Sequence, residues 1–244
     1  MKRQSAYVNL AKWFEYLNDD CGYENWSQYL IMKLKKYPLS TGLDVGCGGG
    51  WFTRAFAREG YQTTGLDNSP QMLDFAQQKA LQEGVRGEYI LGDIATKKLP
   101  KRFDFVTAIN DVINYIPKSK LSAAFKNISG ALKKGGVFLF DISSPCKFAQ
   151  KIANTVSADD REDVTYLSFN RVQGDEVTMD VTLFTRREDN AFERTDETHT
   201  QYIYTETEIE TALVANGFTL VETEGHLGEN KTNSDRICFL AVKE

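Results

Sequence analysis

The chain has 244 residues, of which 41% are hydrophobic, 12% aromatic and 26% charged, and this composition excludes a disordered tail or a fibrous protein. There are 29 basic and 34 acidic residues, a net charge of −5, and no local basic patch, so a nucleic-acid partner is not expected. No stretch reaches the ~18 consecutive apolar residues of a membrane helix, and no signal peptide is recognised. The four cysteines are widely spaced and form no C-x-x-C pair, so we predict neither disulfides nor a metal site, and we expect a cytoplasmic protein.

The first 38 residues show two helical patterns that predict an N-terminal helical cover. In the first, Tyr7, Leu10, Phe14 and Leu17 recur at three- and four-residue steps, and Pro38 ends the second. Trp26 and Tyr29 lie in the second pattern, where aromatic side chains are more often packed than functional.

Between residues 39 and 145, short apolar runs alternate with amphipathic segments. This alternation predicts strands joined by helices, and therefore a mostly parallel sheet with helices on both faces. Ser69 and Pro70 have the residue types of a helix N-cap and first helical position. We assign residues 39–145 and 204–244 to this doubly wound α/β core.

After Pro145 the pattern changes. A helical stretch to about Val156 and a solvated polar loop, 157–163, are followed by alternating residues that predict an antiparallel three-stranded insertion over 164–203. We expect residues 146–203 to form a lid or acceptor wall; the competing explanation is a dimer surface. Thr205 or Thr207 is then predicted to cap a helix, which two final strands follow.

The strongest local signal is the glycine-rich loop after the first strand of the core. Its glycines allow a sharp turn and the close approach of a ligand to the backbone. A dinucleotide fingerprint requires a small residue where this chain has Trp51, so the run around Asp44, Gly46, Gly48 and Gly50 does not fit a dinucleotide cofactor.

Two further signals follow the next strands. Asp67 lies 17 residues after Gly50, and a carboxylate there can accept hydrogen bonds from a ribose diol. Asp93 and Ile94 follow the third strand and suit an adenine, the first accepting from its amine and the second packing on its ring. Because open parallel sheets bind ligands at the carboxyl ends of their strands, we expect all these residues to share one crevice.

On these motifs, LDVGCGGGWF, GLDNSPQML, LGDI, FDFVTAINDVINYI and LKKGGVFLFDI, the sequence resembles the class I S-adenosylmethionine-dependent methyltransferases over nearly the whole chain. The resemblance implies a Rossmann-like seven-stranded sheet with an antiparallel last strand, S-adenosylmethionine as cofactor, and a tyrosine of the first helix, Tyr7, reaching the cofactor's carboxylate. The cofactor-binding residues predicted with it are Tyr7, Asp44, Gly46, Cys47, Gly48, Asp67, Asn68, Met72, Asp93, Ile94, Asn110 and Asp111.

The sequence says less about the methyl acceptor than about the cofactor. Methyltransferases that act on base amines of nucleic acids carry an N/D-P-P-Y/F turn after the fourth strand, and this chain has Asn110-Asp111-Val112-Ile113 instead. This departure favours a small molecule or a protein acceptor. The predicted acceptor-binding residues are Asn114, Tyr115, Arg171 and Tyr202, with Tyr204 as a further candidate. Asp111, Asn114 and Tyr115 have local capping as an equal alternative.

We therefore expect an enzyme that transfers a methyl group to N, O or S of a small molecule by in-line displacement. No catalytic residue is assigned, because His199 and His226 lie in no recognisable motif and a structural role is more common for each. The alternatives are a non-catalytic adenosylmethionine-binding module and, less favoured, an NAD-dependent oxidoreductase. A homodimer is a further expectation.

Overall fold

A computed structural model describes residues 4–99 and 101–244 of the chain. The strands within these residues are β1 (Gln4–Ser5), β2 (Thr41–Val45), β3 (Gln62–Asp67), β4 (Glu88–Leu91), β5 (Phe103–Ala108), β6 (Leu132–Ser143), β7 (Val156–Asp160), β8 (Val164–Gln173), β9 (Glu176–Arg186), β10 (Phe192–Tyr202), β11 (Phe218–Gly225) and β12 (Arg236–Lys243). The α-helices are α1 (Phe14–Leu17), α2 (Tyr23–Leu34), α3 (Trp51–Arg58), α4 (Pro70–Gln82), α5 (Leu121–Ala131), α6 (Pro145–Lys147) and α7 (Glu206–Ala215).

Seven strands form the large sheet, in the order β11-β12-β6-β5-β2-β3-β4. The strands from β6 to β4 are parallel, whereas β12 runs antiparallel to both of its neighbours, β6 and β11. The predicted doubly wound α/β sheet with an antiparallel last strand is therefore confirmed. The central strands are covered on both faces, and Phe105 and Val106 of β5 have no exposed surface, which is typical of a parallel sheet.

Local sequence signals fix two of the surrounding helices. Ser69 Oγ accepts a hydrogen bond from the Met72 amide at 3.2 Å, and Pro70 opens α4. Thr205 and Glu208 form a reciprocal capping box at the start of α7. Both helix starts agree with the sequence prediction.

Aromatic side chains fill the core around β6 and β12. Phe138 and Phe140 stack with ring centroids 4.3 Å apart, and Phe140 stacks on Phe239 of β12 at 5.0 Å. Trp26 and Tyr29 of α2 lie in a second buried cluster on the opposite face of the sheet, in agreement with their predicted packing role.

The smaller sheet has the order β1-β10-β9-β8-β7. Strands β8, β9 and β10 are the predicted antiparallel three-stranded insertion. The prediction of a solvated loop over 157–163 is wrong in part, because β7 pairs with β8 there, Ser157 opposite Ser168 and Asp160 opposite Thr165. Most residues of this edge strand are exposed and polar, so hydrophobic alternation does not predict it.

The predicted first helix is also corrected. Gln4 and Ser5 form β1, which pairs in parallel with β10, and α1 begins only at Phe14. Tyr7 has a left-handed φ of 61°, and the amides of residues 7, 9 and 10 bond to a carboxylate of β10 instead of to helix carbonyls. Tertiary hydrogen bonds thus override the helical spacing. The domain limits 1–38, 39–145 with 204–244, and 146–203 stay predictions.

Candidate active site

The glycine loop connects β2 to α3 and turns beneath a cavity at the carboxyl end of the large sheet. The Cys47 amide donates to the Leu66 carbonyl of β3 at 3.1 Å and thereby joins the loop to the neighbouring strand. Gly46 and Gly48 both have positive φ, 63° and 52°. A Cβ on Gly46 would lie 2.5 Å from Val112, whereas one on Gly48 would meet only Met72 Cε at 3.9 Å. Bare backbone at Gly48 therefore leaves room beside the cavity.

Asp67, at the end of β3, organises this loop. Its Oδ2 accepts from the Gly48 amide and its Oδ1 from the Ser69 amide, each at 2.8 Å. Burial raises the pKa of Asp67, and the hydrogen bonds from Ser69 and Gly48 oppose that rise. A carboxylate offers about four acceptor positions, so Asp67 can still accept from a ligand hydroxyl.

Asp44 is the second buried carboxylate of the cavity. It accepts from the hydroxyls of Thr53 at 2.7 Å and Thr107 at 2.8 Å, and it is 2% exposed. Burial raises its pKa to about 6 despite these two donors. The third carboxylate, Asp93 after β4, accepts from the Ala95 amide at 2.8 Å, which holds the turn that carries Ile94.

The chain after β5 makes two consecutive left-handed residues, Asn110 with φ 70° and Asp111 with φ 55°. Asp141 of β6 holds this turn, since its carboxylate accepts from both amides, at 2.7 and 3.1 Å. Arg236 of β12 pairs with Asp141 at 2.8 Å and also donates to the Asn110 side-chain oxygen. Left-handed Asn and Asp are tolerated but costly, so the ion pair behind them maintains a strained turn.

Sequence reasoning missed Asp141 and Arg236. The aspartate interrupts the apolar run FLFDI and could have been noticed as a carboxylate on a buried strand. Nothing near Arg236 indicates that it reaches across the sheet, because the pairing joins residues 95 positions apart.

A strap of residues 4–10 covers the cavity, and Glu197 of β10 holds it. The Glu197 carboxylate, 1% exposed, accepts from the Tyr7 amide at 2.9 Å, from the Leu10 amide at 3.0 Å and from the Asn9 amide. Burial alone would raise the pKa of Glu197, but the hydrogen bonds from His199 and these amides outweigh it, and the pKa is lowered.

His199 and two tyrosines complete this covering side. His199 Nε2 lies 3.1 Å from Glu197, and its ring meets the Tyr7 ring edge-on with centroids 4.7 Å apart. The hydroxyls of Tyr7 and Tyr115 are hydrogen-bonded at 2.7 Å. His199 thus contacts both Glu197 and Tyr7 of the strap, and its structural role stays a prediction.

The cavity enclosed by these elements measures about 240 Å³. Besides residues 6, 14, 15 and 23 of the N-terminal region, it is lined by twelve of the predicted site residues: Tyr7, Asp44, Gly46, Cys47, Gly48, Asp67, Asn68, Met72, Asp93, Ile94, Asn110 and Tyr115.

Four other predicted site residues do not line this cavity. Asn114 is fully buried and braces the fold, donating to the Tyr202 carbonyl and accepting from the Ser143 amide. Tyr202 is part-buried against the main core. Arg171 points to solvent and pairs with Asp180 at 2.6 Å. Asp111 is placed beside the cavity, where it bonds to Ser143. Tyr204, the further candidate, is buried and donates to the Ile116 carbonyl.

Comparison with known proteins fits this geometry. A family model described as a methyltransferase domain matches residues 43–136. A protein of Geobacillus sp. (strain WCH70) whose name assigns it to the methyltransferases is 30% identical over 98% of this chain and all of its own length. The chain belongs to the S-adenosylmethionine-dependent methyltransferases.

Two solved methyltransferase structures share the fold. One is an S-adenosylmethionine-dependent methyltransferase from Clostridium acetobutylicum, with a TM-score of 0.88 and 29% identity over 98% of this chain and 99% of its own. The other is an amino pentose methyltransferase from Micromonospora echinaspora with its cofactor bound, with a TM-score of 0.71 and 23% identity over the full length of both chains.

The lining of the cavity fits the cofactor of this methyltransferase family, S-adenosylmethionine. Its charged residues are Glu15, Asp44, Asp67, Asp93 and Lys120, so the cavity is predominantly acidic. An acidic lining favours a cationic sulfonium with an amino group and disfavours a pyrophosphate. When bound, the cofactor supplies an electrophilic methyl group.

No helix in the described part of the chain combines the length and apolarity needed to cross a membrane. Across residues 4–99 and 101–244, no cluster of three or more His, Cys, Asp or Glu side chains is arranged to hold a metal ion.

Proposed function

We propose that this methyltransferase transfers its methyl group to a nitrogen, oxygen or sulfur of a small molecule that enters beside the Asn110–Asp111 turn. The observation that carries the proposal is the acidic crevice at the ends of three parallel strands, which runs up to that strained turn. Strain and buried carboxylates collect at functional sites because the surrounding fold holds them there.

In this proposal each of the three strand ends binds a different part of the cofactor. Asp67 accepts from the ribose hydroxyls, and Asp93 with Ile94 holds the adenine. The Gly46–Gly48 backbone and Asp44 hold the amino acid end, and Tyr7 lies over the cavity as part of the strap. The Asn110 backbone is placed beside the sulfur. Alignment of the acceptor and exclusion of water then supply most of the rate enhancement.

Three observations support a small acceptor. Strap residues Ala6 and Tyr7 line one side of the cavity, the chain has a net charge of −5, and a solved structure of the same fold belongs to an amino pentose methyltransferase. A nucleic-acid acceptor would require a basic surface, which the sequence does not provide. The four cysteines are free thiols, which accords with a reducing compartment, and we include a cytoplasmic location in the proposal.

We also include a homodimer in the proposal. Val156 and Phe169 lie opposite each other at the outer edge of the small sheet, with 63% and 45% of their surfaces exposed. An exposed apolar pair formed by the edge strand β7 and its neighbour β8 is a suitable contact for a second chain. Sedimentation of the wild-type chain should then show twice the monomer mass, and V156K should restore the monomer.

Calorimetry with S-adenosylmethionine, S-adenosylhomocysteine and NAD tests the cofactor site. We expect the two adenosyl compounds to bind and NAD to bind no better than adenosine. Tight binding of NAD alone would favour the oxidoreductase alternative.

Transfer of label from S-adenosyl-[methyl-³H]methionine into fractionated metabolites tests turnover. Labelled product in a small-molecule fraction is expected. Cofactor binding without label in any fraction would favour the non-catalytic binding module.

A further inference from the structure

Tyr23, the first residue of α2, has a buried hydroxyl that no group of the protein satisfies. Within residues 4–99 and 101–244 this hydroxyl has no hydrogen-bond partner, although the residue is only 7% exposed. Tyr23 also lines the cavity. Buried polar groups are nearly always hydrogen-bonded, so an unpaired hydroxyl at a cavity indicates a polar atom of a ligand. The hydroxyl is thus a binding group to which the site described above gives no role.

Ring contacts and hydrogen bonds hold Tyr23 against the start of α3. Its ring centroid lies 5.3 Å from that of Trp51 and 5.7 Å from that of Phe52. Trp51 Nε1 donates to Ser27 Oγ at 3.2 Å, and this Oγ donates to the Tyr23 carbonyl at 2.7 Å. Trp51, the bulky residue that does not fit a dinucleotide fingerprint, therefore joins α2 to the end of the glycine loop and fixes the position of Tyr23.

The start of α3 is suited to an anion. Trp51 and Phe52, its first two residues, both line the cavity. The N-cap, Gly50, makes no side-chain capping bond, whereas Ser69 and Thr205 cap α4 and α7. The first amides of a helix have no helix carbonyl to bond, and they carry the positive end of the helix dipole. A carboxylate in front of them would gain both hydrogen bonds and a favourable electrostatic interaction.

The cavity offers few other donors to a carboxylate. Among the residues that the structure describes, the one cation that lines the cavity is Lys120, which lies at the start of α5 and not on the glycine loop. The hydroxyl of Tyr7, which the family resemblance implies for this role, is bonded to the Tyr115 hydroxyl at 2.7 Å. Tyr23 therefore supplies the hydroxyl that is not yet engaged.

The acidic residue closest to the glycine loop does not oppose an anion at this end. Glu15 lies over the loop, since a Cβ on Gly49 would be 3.0 Å from its Oε1. The same oxygen pairs with Arg54, a side chain that is 1% exposed, at 3.0 Å. Because a buried guanidinium compensates the Glu15 charge, a carboxylate on the far side of the loop is not strongly repelled.

We infer that the Tyr23 hydroxyl and the first amides of α3 together bind the α-carboxylate of S-adenosylmethionine. The inference rests on the proposed function, in which the adjacent Gly46–Gly48 backbone holds the amino acid end, and it adds a specificity-determining residue to that site. Tyr23 distinguishes a cofactor that carries this carboxylate from adenosyl compounds that lack it. Trp51 is a positioning residue, because it acts through the placement of α2.

Three ligands that differ at the amino acid end test this role by isothermal titration of the full chain. S-adenosylhomocysteine has both the carboxylate and the ammonium, S-adenosyl-3-thiopropylamine has only the ammonium, and 5′-methylthioadenosine has neither. Because a charge-assisted hydrogen bond is lost, Y23F should bind S-adenosylhomocysteine at least about tenfold more weakly than the wild type does. Its affinities for the other two ligands should change by less than about twofold, since neither ligand has the carboxylate.

Two further tyrosine variants and a stability measurement separate binding from structure. Y7F should keep the wild-type ratio between the affinities for S-adenosylhomocysteine and S-adenosyl-3-thiopropylamine, because the Tyr7 hydroxyl is engaged by Tyr115. Y16F, at a tyrosine of α1 that is 41% exposed, should leave all three affinities unchanged. Without ligand, Y23F should melt at or above the wild-type temperature, because the hydroxyl that it removes has no partner in the described part of the chain.

Equal weakening of S-adenosylhomocysteine and S-adenosyl-3-thiopropylamine in Y23F, or no weakening of either, would overturn the inference. Loss of the discrimination in Y7F with Y23F unaffected would assign the carboxylate to Tyr7 instead. These outcomes differ from failure of the proposed function, in which the wild-type chain would bind none of the three adenosyl ligands.

Discussion

The two sides of the cavity are built differently. On the sheet side, Asp67 bonds to Gly48 and Ser69, residues that are 19 and 2 positions away in sequence. On the covering side, Glu197 bonds to Tyr7 and Leu10 across 190 and 187 positions. The sheet side is therefore a set of local turns at strand ends, and the covering side exists only in the complete fold. Substitutions on the sheet side should change cofactor affinity, whereas substitutions on the covering side should change how readily the strap opens.

The largest effect is expected within the large sheet, at the buried Arg236–Asp141 pair that holds the Asn110–Asp111 turn. Replacing Arg236 with Met leaves the fully buried Asp141 without its cation, which should lower the free energy of unfolding by about 3 to 5 kcal/mol. Urea denaturation measures this loss. The exposed pair of Lys151 with Asp235 is the control, and K151M should cost less than about 1 kcal/mol. Equal losses would show that the Asn110–Asp111 turn does not depend on Arg236.

On the sheet side, Asp67→Ala should weaken cofactor binding by about 1.5 to 3 kcal/mol, roughly 10- to 150-fold, because a charge-assisted acceptor is lost. Isothermal titration with S-adenosylhomocysteine provides the measurement. Asp74 is an exposed aspartate on α4, and Asp74→Ala should leave the dissociation constant unchanged. If Asp67→Ala binds like the wild type, Asp67 does not belong to the cofactor site.

On the covering side, Glu197→Gln keeps an acceptor oxygen but removes the charge that holds three amides. We expect the strap to open more readily by ~2 kcal/mol and the cofactor to dissociate faster. Hydrogen exchange at the amides of residues 7, 9 and 10 reports the opening. Glu193→Gln, an exposed position on the same strand, is the control. Unchanged exchange in Glu197→Gln would mean that β1 pairing alone holds the strap.

The smallest effect should be a pH dependence. The folded-state pKa of Asp44 is about 6 because of burial, so its carboxylate protonates as the pH falls through that value. Cofactor affinity should be constant from pH 7 to 8 and fall about tenfold at one pH unit below the pKa. Asp44→Asn should bind weakly at every pH. A wild-type affinity that does not change between pH 5 and 7 would contradict this role.

The raised pKa of Asp44 affects the free energy of unfolding in the opposite direction to cofactor affinity. A raised carboxyl pKa means that the folded state binds the proton more tightly than the unfolded chain, whose value is about 3.9. The contribution of Asp44 to unfolding free energy therefore increases as the pH falls from about 6 to about 4. Binding and stability thus respond in opposite directions to the same group.

The contrast between the sides also explains what the sequence could predict. The alternation of strands and helices is visible in the sequence. The glycine loop and the carboxylates Asp44, Asp67 and Asp93 follow from local motifs at strand ends, and the structure brings these residues to one cavity. The caps at Ser69 and Thr205 are equally local.

Long-range contacts account for what the sequence could not predict. The helical spacing of Tyr7 and Leu10 is present in the sequence, but their amides bond to Glu197, and the spacing carries no information about that carboxylate. The position of Arg171 on the insertion does not show which face of the sheet its side chain takes, because strand register decides that, and the side chain pairs with Asp180. Asn114 bonds to Tyr202 and Ser143, which are 88 and 29 positions away, so its neighbours are not visible in the local sequence either.

The attachment of the strap to Glu197 also has a consequence for biosynthesis. Tyr7 leaves the ribosome 190 residues before its carboxylate does, a delay of roughly 10 to 40 s at ~5 to 20 residues per second. During this interval the glycine loop and the neighbouring strand ends can form. The strap cannot yet close over them, because Glu197 has not been translated. A nascent enzyme should therefore bind its methyl donor tightly only when β10 has been translated.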